Sequence, residues 1–188
     1  RMAALSQAGL VEKFVDALIW VVYPVYLYER GLSLAHIGWV VGVYGFVWGG
    51  SQFFTGRLSD RIGRQKPIVW GMWICGAGVA MILAGEAVWW WIASAAITGF
   101  GMALLYPNLS AAVADIAHPN WRGSAIGIYR FWRDLGYGIG ALLLGAVAAL
   151  FGGIEAGFWF TAGAMFVSGL IVLLACEETH PRLNPASA

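Results

Sequence analysis

Two short clusters of charged residues lie inside apolar stretches long enough to span a lipid bilayer. The first contains Glu12, Lys13 and Asp16. On a helix, Glu12 and Asp16 share a face, and Lys13 is near enough to neutralise Asp16. A charge at mid-bilayer costs about 2.5–3.5 kcal/mol on insertion scales, so it needs a partner or a function. We expect Glu12 near the headgroups and Asp16 deeper, as a candidate for binding a proton or a substrate. The alternative is an interfacial ion pair that helps insertion.

The second cluster contains Arg130, Arg133 and Asp134. Arg130 and Asp134 are four residues apart and can pair on a helix. Arg130 lies about 9 Å inside its apolar stretch, at 1.5 Å per residue. One arginine is then left over, available to Asp60, Asp115 or an anionic substrate. A structural network with the loop that contains Asp60 is the alternative. Coupling to protons is a hypothesis that rests on Asp16 and Asp134.

Four tyrosines lie at repeat-related positions in the two halves of the chain, and they combine an apolar ring with a hydrogen-bonding tip. They are candidates for lining a pathway, with helix packing as the alternative: Tyr23, Tyr44, Tyr106 and Tyr129. Pro24 and Pro107 each follow one of them and are expected to kink their helices.

A polar segment separates the second apolar stretch from the third. It reads Gly56-Arg57-Leu58-Ser59-Asp60-Arg61-Ile62-Gly63-Arg64-Gln65-Lys66. Its glycines permit tight turns. Asp60 can accept hydrogen bonds from helix-end amides and can pair with an arginine. Basic residues are typical of the cytoplasmic ends of membrane spans.

This segment resembles the signature loop of the major facilitator superfamily: a glycine, an acidic residue four positions later, an arginine, a second glycine and then basic residues. The resemblance implies a transporter in which the loop latches two helix bundles in the outward-facing state. Asp60 and Arg61 would form the latch, whereas Arg64 and Lys66 can instead serve only to set topology. The implied gating loop consists of Gly56, Asp60, Arg61, Gly63 and Arg64.

The resemblance also implies that the chain is one half of a twelve-span protein, with the other half missing or supplied by another chain. We also expect the chain to be a piece of something longer. First halves of the family usually carry an arginine early in the fourth span, and residues 97–102 contain none. The antiporter pattern has a glycine-proline pair in the fifth span, and residues 136–145 contain no proline. Both departures favour the second, C-terminal half.

The composition favours a membrane protein over a soluble one. Of the 188 residues, 60% are hydrophobic and 11% are charged, and the mean hydropathy is +0.72. Soluble domains contain about 45–50% apolar and about 25% charged residues. The net charge of +1 offers no basic excess for nucleic acid.

The elements that must position these residues are six apolar stretches, which predict an all-α membrane protein with six transmembrane helices in one bundle. They cover about residues 10–28, 35–55, 67–84, 87–114, 124–151 and 154–176. The short connections carry turn residues, so neighbouring helices should be antiparallel. Residues 1–188 form a single domain in this prediction, with 177–188 as a tail.

The two halves of the chain resemble each other. Tyr23-Pro24 recurs as Tyr106-Pro107, and residues 41–44 (Val-Gly-Val-Tyr) recur as 126–129 (Ile-Gly-Ile-Tyr). Because each unit contains three spans, the second would enter the membrane from the opposite side, as in many secondary transporters. The predicted repeats are residues 8–84 and 87–176. Chance matching among common membrane residues is the alternative.

The lysine and arginine distribution predicts that both termini lie in the cytoplasm. With six spans, the side of the termini holds Arg1, Arg57, Arg61, Arg64, Lys66, Arg122 and Arg182, and the other side holds only Arg30. Positive residues favour the cytoplasmic side. We therefore expect a multi-pass protein of a plasma membrane, the inner membrane in bacteria.

These observations predict a secondary active transporter, or half of one, that moves a small solute by alternating access. The expected partners are a small-molecule substrate, the lipid bilayer and the other six-helix half, with no nucleic acid. The other half would lie upstream in the same chain or in a second chain. The sequence contains no catalytic motif and no nucleotide-binding loop, so we expect no enzyme activity and no cofactor. The alternative is a membrane assembly module, derived from a half transporter, that moves nothing.

Overall fold

The regular structure of this chain is entirely helical in a computed structural model that describes residues 1–183. The expectation of an all-α protein is therefore confirmed over these residues. The helices are α1 (Met2–Ala17), a π-helical segment (Leu18–Val22), α2 (Tyr23–Glu29), α3 (Leu34–Ile62), α4 (Gln65–Ile82), α5 (Val88–Ile116), a 3-10 turn (Pro119–Trp121), α6 (Arg122–Phe151) and α7 (Glu155–Ala175).

The first three elements form one continuous rod. Ala17 and Tyr23, which flank the π-helical segment, both have right-handed helical backbone dihedrals. The Tyr23 N–H donates to the Leu18 carbonyl, five residues back. Pro24 explains the wider turn, because it has no N–H and its ring would clash with the carbonyl of residue 20 in a regular helix. Pro107, in contrast, lies within an uninterrupted α5.

The ends of the long helices follow local chemistry. Ser33 caps α3 by accepting the His36 N–H on its side-chain oxygen at 3.4 Å. The helix ends at Gly63, whose φ of +94° lies in the region that favours glycine. Gly152 ends α6 in the left-handed conformation, with φ of +75°.

Helix packing brings α1 and α6 into close contact at Gly136. A Cβ atom at this position would collide with the Leu10 carbonyl oxygen and would lie 2.9 Å from Lys13 Cβ. Only glycine therefore permits this approach of the two backbones. Elsewhere α5 packs against α3 and α4, and α4 packs against α7.

The outer surface carries many large apolar side chains, which suits a lipid environment better than water. Examples with most of their surface exposed are Phe46, Leu142, Leu150, Phe151 and Leu174. By length and composition, three helical segments could cross a membrane: Val88–Ile116, Pro119–Phe151 and Glu155–Ala175. Six spans therefore remain a prediction.

Candidate functional site

A buried ion pair lies at the centre of the candidate site. Lys13 Nζ donates to Asp16 Oδ2 at 2.6 Å, and both side chains are almost completely buried. The Tyr44 hydroxyl of α3 donates to Asp16 Oδ1 at 2.7 Å, and the Tyr137 hydroxyl of α6 donates to Asp16 Oδ2 at 3.1 Å. Three helices therefore provide hydrogen bonds to one carboxylate.

Aromatic rings surround the Lys13 ammonium group. Its Nζ lies 5.0 Å from the ring centre of Tyr137, 5.5 Å from that of Tyr106 and 6.0 Å from that of Trp48. Ring faces at such distances attract a cation electrostatically. These contacts add α5 to the helices that meet at this pair, because Tyr106 belongs to it.

Glu12 was expected near the lipid headgroups, and its depth in the bilayer stays a prediction. Its side chain has 0% exposure and lies between helices. Lys13 Nζ lies 3.5 Å from Glu12 Oε1, and neither Glu12 oxygen accepts a hydrogen bond from any described residue.

Arg133, rather than Arg130, pairs with Asp134. Its Nε and Nη2 donate to Asp134 Oδ1 at 3.1 and 2.9 Å. The buried face of α6 contains Tyr129, Arg133 and Gly136. Arg130 is rotated about 100° around the helix axis from Tyr129 and is exposed. Across residues 1–183, Arg130 takes part in none of the ion pairs, so the expected pairing of Arg130 with Asp134 is wrong.

Tyr106 connects the two predicted charge clusters. Its ring centre lies 5.0 Å from the Arg133 guanidinium carbon and 5.5 Å from Lys13 Nζ. Tyr129 is buried beside Gly9 of α1. Tyr23 lies apart from the cluster, where its hydroxyl donates to the Trp91 carbonyl at 3.3 Å.

The structure thus brings together five of the seven predicted pathway residues: Asp16, Tyr106, Tyr129, Arg133 and Asp134. Sequence reasoning missed Trp48 and Tyr137. Tyr137 follows Arg133 by four residues, on nearly the same side of α6, so helical spacing could have indicated it. Trp48 has no such local signal, because its contact with Lys13 depends on how α3 packs.

The predicted gating loop contains a branched ion pair centred on Arg64. Arg64 Nη1 lies 2.9 Å from Asp60 Oδ1, and Arg64 Nε lies 3.1 Å from Asp115 Oδ2 of α5. The same Nη1 donates to Ser59 Oγ at 2.9 Å. Arg61, which the resemblance placed beside Asp60 in the latch, is exposed and forms no ion pair within the described part of the chain.

Glu178 caps the start of α4 from the segment that follows α7. Its carboxylate accepts the backbone N–H groups of Arg64 at 2.8 Å and Gln65 at 3.2 Å. It also accepts those of Thr179 at 2.9 Å and His180 at 2.8 Å. Partial burial opposes ionisation, but these hydrogen bonds outweigh it and hold the pKa of Glu178 below its usual range.

Comparisons with known proteins all point to one group. The family model described as Major Facilitator Superfamily matches residues 7–188. The inner membrane transport protein YajR of Escherichia coli is 30% identical over 133 residues, covering 71% of this chain and 29% of the relative. The multidrug resistance protein MdtH of Cronobacter sakazakii is 27% identical over 154 residues, covering 76% and 38%. The chain therefore spans well under half of these relatives.

Solved structures agree in fold. A crystal structure of the peptide transporter POT in complex with sulfate superposes with a TM-score of 0.83. The alignment covers 95% of this chain and 38% of that protein, at 22% sequence identity. This identity supports a common fold only.

Proposed function

The chain belongs to the major facilitator superfamily, and on that premise we propose that it is half of a secondary active transporter. Its family consists of integral membrane transporters and not of enzymes. The proposed activity is movement of a small organic solute by alternating access, between this bundle and a second six-helix half. We assign this chain to the C-terminal half, on the departures from the first-half pattern in residues 97–102 and 136–145.

Ion pairs at the two ends of the structure support six spans with both termini on one side. At one end Arg1 pairs with Glu177, and Glu178 caps the segment that starts at Arg64. At the other end Arg30 pairs with Glu86 and with Glu155. The first and last helices therefore meet at the gating loop, as an even number of crossings requires. The arginine-rich end is assigned to the cytoplasm.

The observation that carries the proposal is the Lys13–Asp16 pair. It lies out of water, and α3 and α6 complete its hydrogen bonds. Buried ion pairs add little stability compared with apolar residues of similar volume, so a static bundle has little use for one. A transporter can use it, because relative movement of α1, α3 and α6 would change its partners.

The proposed pathway consists of Asp16, Tyr106, Tyr129, Arg133 and Asp134, with the exposed Arg130 towards the second half. Tyr23 is assigned to packing near the opposite end of the bundle. Coupling to protons is part of the proposal, since buried carboxylates are typical of proton relays. The Arg64 network is the proposed gate, because it joins the loop to α5 through Asp115.

Transport can be tested with the full-length protein in everted membrane vesicles. Fluorescent ethidium and a labelled dipeptide are suitable probes, because relatives and structural neighbours include proteins named for drugs and for peptides. We expect energy-dependent movement of at least one probe, lost in Asp16→Asn and retained in Glu177→Gln, a change at the exposed end. Movement that is absent with every probe would favour the assembly module.

Alternating access has a separate test in the Arg130→Cys variant. We expect a membrane-impermeant maleimide to label this cysteine at a rate that changes when a transported probe is added. In this half of the protein, Cys75 and Cys176 are buried and free, so they should contribute little labelling. A Tyr28→Cys variant at the opposite end should change in the reverse direction, and equal rates with and without the probe would contradict alternating access.

A further inference from the structure

Thr55 of α3 donates a hydrogen bond across the bundle to a backbone carbonyl of α5. Its hydroxyl oxygen lies 2.7 Å from the Ala103 carbonyl oxygen, and the two residues are buried, with 2% and 0% exposure. The Gln52 carbonyl oxygen of its own helix is farther away, at 3.4 Å. Because a hydroxyl group has one proton to donate, the closer oxygen on α5 is its acceptor.

Buried threonines in helices ordinarily donate to their own helix, at the carbonyl three or four residues back. Thr98 of α5 donates in this way to the Ser94 carbonyl at 2.8 Å, and Thr161 of α7 donates to the Gly157 carbonyl at 2.9 Å. Thr55 departs from this pattern, and the reason for the difference lies in its acceptor.

The Ala103 carbonyl lacks its helical donor because Pro107 lies four residues later, within α5. In a regular helix the N–H of residue 107 would donate to this carbonyl, but proline has no N–H. A carbonyl without a donor is costly away from water. Threonine side chains and neighbouring helices are among the means by which membrane helices tolerate proline. Thr55 therefore supplies from α3 the hydrogen bond that Pro107 removes from α5.

This hydrogen bond lies beside the candidate pathway. Tyr106 is the residue before the proline, and its ring centre lies 5.0 Å from the Arg133 guanidinium carbon and 5.5 Å from Lys13 Nζ. Trp48 of α3 packs edge-on against the same ring, with ring centres 5.9 Å apart. Thr55 follows Trp48 by seven residues, about two turns, so both side chains lie on nearly the same side of α3.

We propose that Thr55 is a positioning residue for Tyr106 in the transport pathway. This inference rests on the proposed function. The Thr55 hydroxyl fixes the turn of α5 at residues 103–107, and thereby the direction in which the Tyr106 ring meets Lys13 and Arg133. Thr55 acts through the backbone of α5 and not through contact with a substrate.

The same hydrogen bond links α3 to α5 between two other contacts. Arg64, which follows α3, has its Nε 3.1 Å from Asp115 Oδ2 of α5 in the proposed gate. At the other contact, a Cβ atom at Gly99 of α5 would lie 2.5 Å from the Tyr44 carbonyl oxygen of α3. Thr55 lies between Tyr44 and Arg64 along α3. A movement of α3 at the gate therefore carries this turn of α5, and the Tyr106 ring with it.

Fluorine NMR of the full-length protein tests the assignment without a substrate. Fluorotyrosine is introduced at position 106 by amber suppression, and its resonance responds to the positions of the nearby charges. We expect Thr55→Val to shift this resonance by more than its line width. Thr55→Ser keeps the hydroxyl and should leave the resonance in place. The matched control is Thr161→Val, which removes a buried hydroxyl that donates within its own helix and should also leave the resonance in place.

Pro107→Ala provides a second test, because it restores the missing N–H and removes the requirement for Thr55. With Pro107 present, Thr55→Val should lower the unfolding midpoint and shift the Tyr106 resonance. In the Pro107→Ala background, adding Thr55→Val should change both quantities little. Thr161→Val should have the same effect on the midpoint in both backgrounds. In vesicles, Thr55→Val should slow probe movement several-fold, and Thr55→Ser should retain it.

The proposal has clear contrary outcomes. Equal effects of Thr55→Val with and without Pro107→Ala would overturn it, and so would a Tyr106 resonance that Thr55→Val leaves in place. If Thr55→Val fails to fold, recovery of folding by Pro107→Ala supports the proposal, and continued failure contradicts it. The vesicle assay is a separate question: a responsive resonance in a protein that moves no probe would remove only the proposed function, and transport with an unresponsive resonance would remove only this inference.

Discussion

The Glu178 carboxylate accepts the backbone N–H of Arg64 at 2.8 Å, which ties the end of α7 to the start of α4. The two residues are 114 positions apart. Arg64 is also the residue whose side chain bridges Asp60 and Asp115. Arg64 therefore contacts the segment after α7 through its backbone N–H, and it contacts Asp60 of the gating loop and Asp115 of α5 through its side chain.

Replacement of Glu178 should lower the stability of this end of the bundle. We expect Glu178→Ala to cost about 1 kcal/mol, the usual scale for loss of a helix cap. Thermal unfolding in detergent, followed by size-exclusion chromatography, measures the change. Glu177→Ala is the matched control: the Glu177 side chain is mostly exposed and pairs with Arg1, so it should change the midpoint little.

The same cap predicts a dependence on pH. The folded-state pKa of Glu178 is lowered, so its contribution is present above the unfolded value of about 4.3 and is lost as the pH falls below it. The difference in unfolding midpoint between wild type and Glu178→Gln should therefore shrink over the acidic range that runs from about pH 5 down through the lowered pKa of Glu178. A difference that stays constant over this range would contradict the assigned cap.

Breaking the Lys13–Asp16 pair should be more costly than removing it. Asp16→Leu leaves the buried Lys13 ammonium group with Glu12, 3.5 Å away, as its one remaining nearby carboxylate, and we expect a loss of up to about 3–5 kcal/mol. The double variant Lys13→Met with Asp16→Leu should recover most of this stability, and its transport should remain absent. Unfolding midpoints for the two single variants and the double variant complete the cycle. Equal losses in Asp16→Leu and in the double variant would show that the pair does not act as a unit.

A side chain at Gly136 should separate α6 from α1. Gly136→Ala places a Cβ atom against the Leu10 carbonyl, and we expect a loss of about 1–3 kcal/mol from overpacking. Gly138→Ala, two residues along the same helix, meets open space and provides the control. Alanine has the higher helix propensity, so Gly138→Ala should be neutral or slightly stabilising. Similar unfolding midpoints for the two variants would contradict the close approach.

Arg64 and Arg61 should differ in their effect on gating. Arg64→Lys keeps the charge but loses the planar fork that reaches Asp60 and Asp115 together. We expect several-fold slower probe movement in vesicles from Arg64→Lys and little change from Arg61→Lys. Maleimide labelling of Arg130→Cys in each background reports whether the slower rate reflects gating. An effect confined to Arg61→Lys would restore the latch that the sequence resemblance implied.

Much of the fold could be predicted from the sequence because helix formation in apolar stretches is a local property. The predicted stretch at 124–151 and α6 at Arg122–Phe151 differ by two residues at one end and by none at the other. The π-helical segment before Pro24 was predicted only as a kink, since the number of residues in a distorted turn depends on the contacts around it.

The candidate site was less accessible to sequence reasoning. Local spacing suggested Lys13 with Asp16, which are three residues apart, and the structure contains that pair. The same reasoning paired Arg130 with Asp134, whereas the structure pairs Arg133 with Asp134. That expectation failed because spacing states which residues share a helix face and not which face is buried.

The sequence by itself determined the family, the helical class and the charged residues within the apolar stretches. These features depend only on composition and on short local motifs. Only the tertiary structure decided the partners of these charged residues. Glycine at position 136 allows α6 to approach α1, and in this packing Arg133 is buried, Arg130 is exposed and Glu12 lies between helices. Such partners come from helices far apart in sequence, and their choice depends on backbone distances that no local pattern encodes.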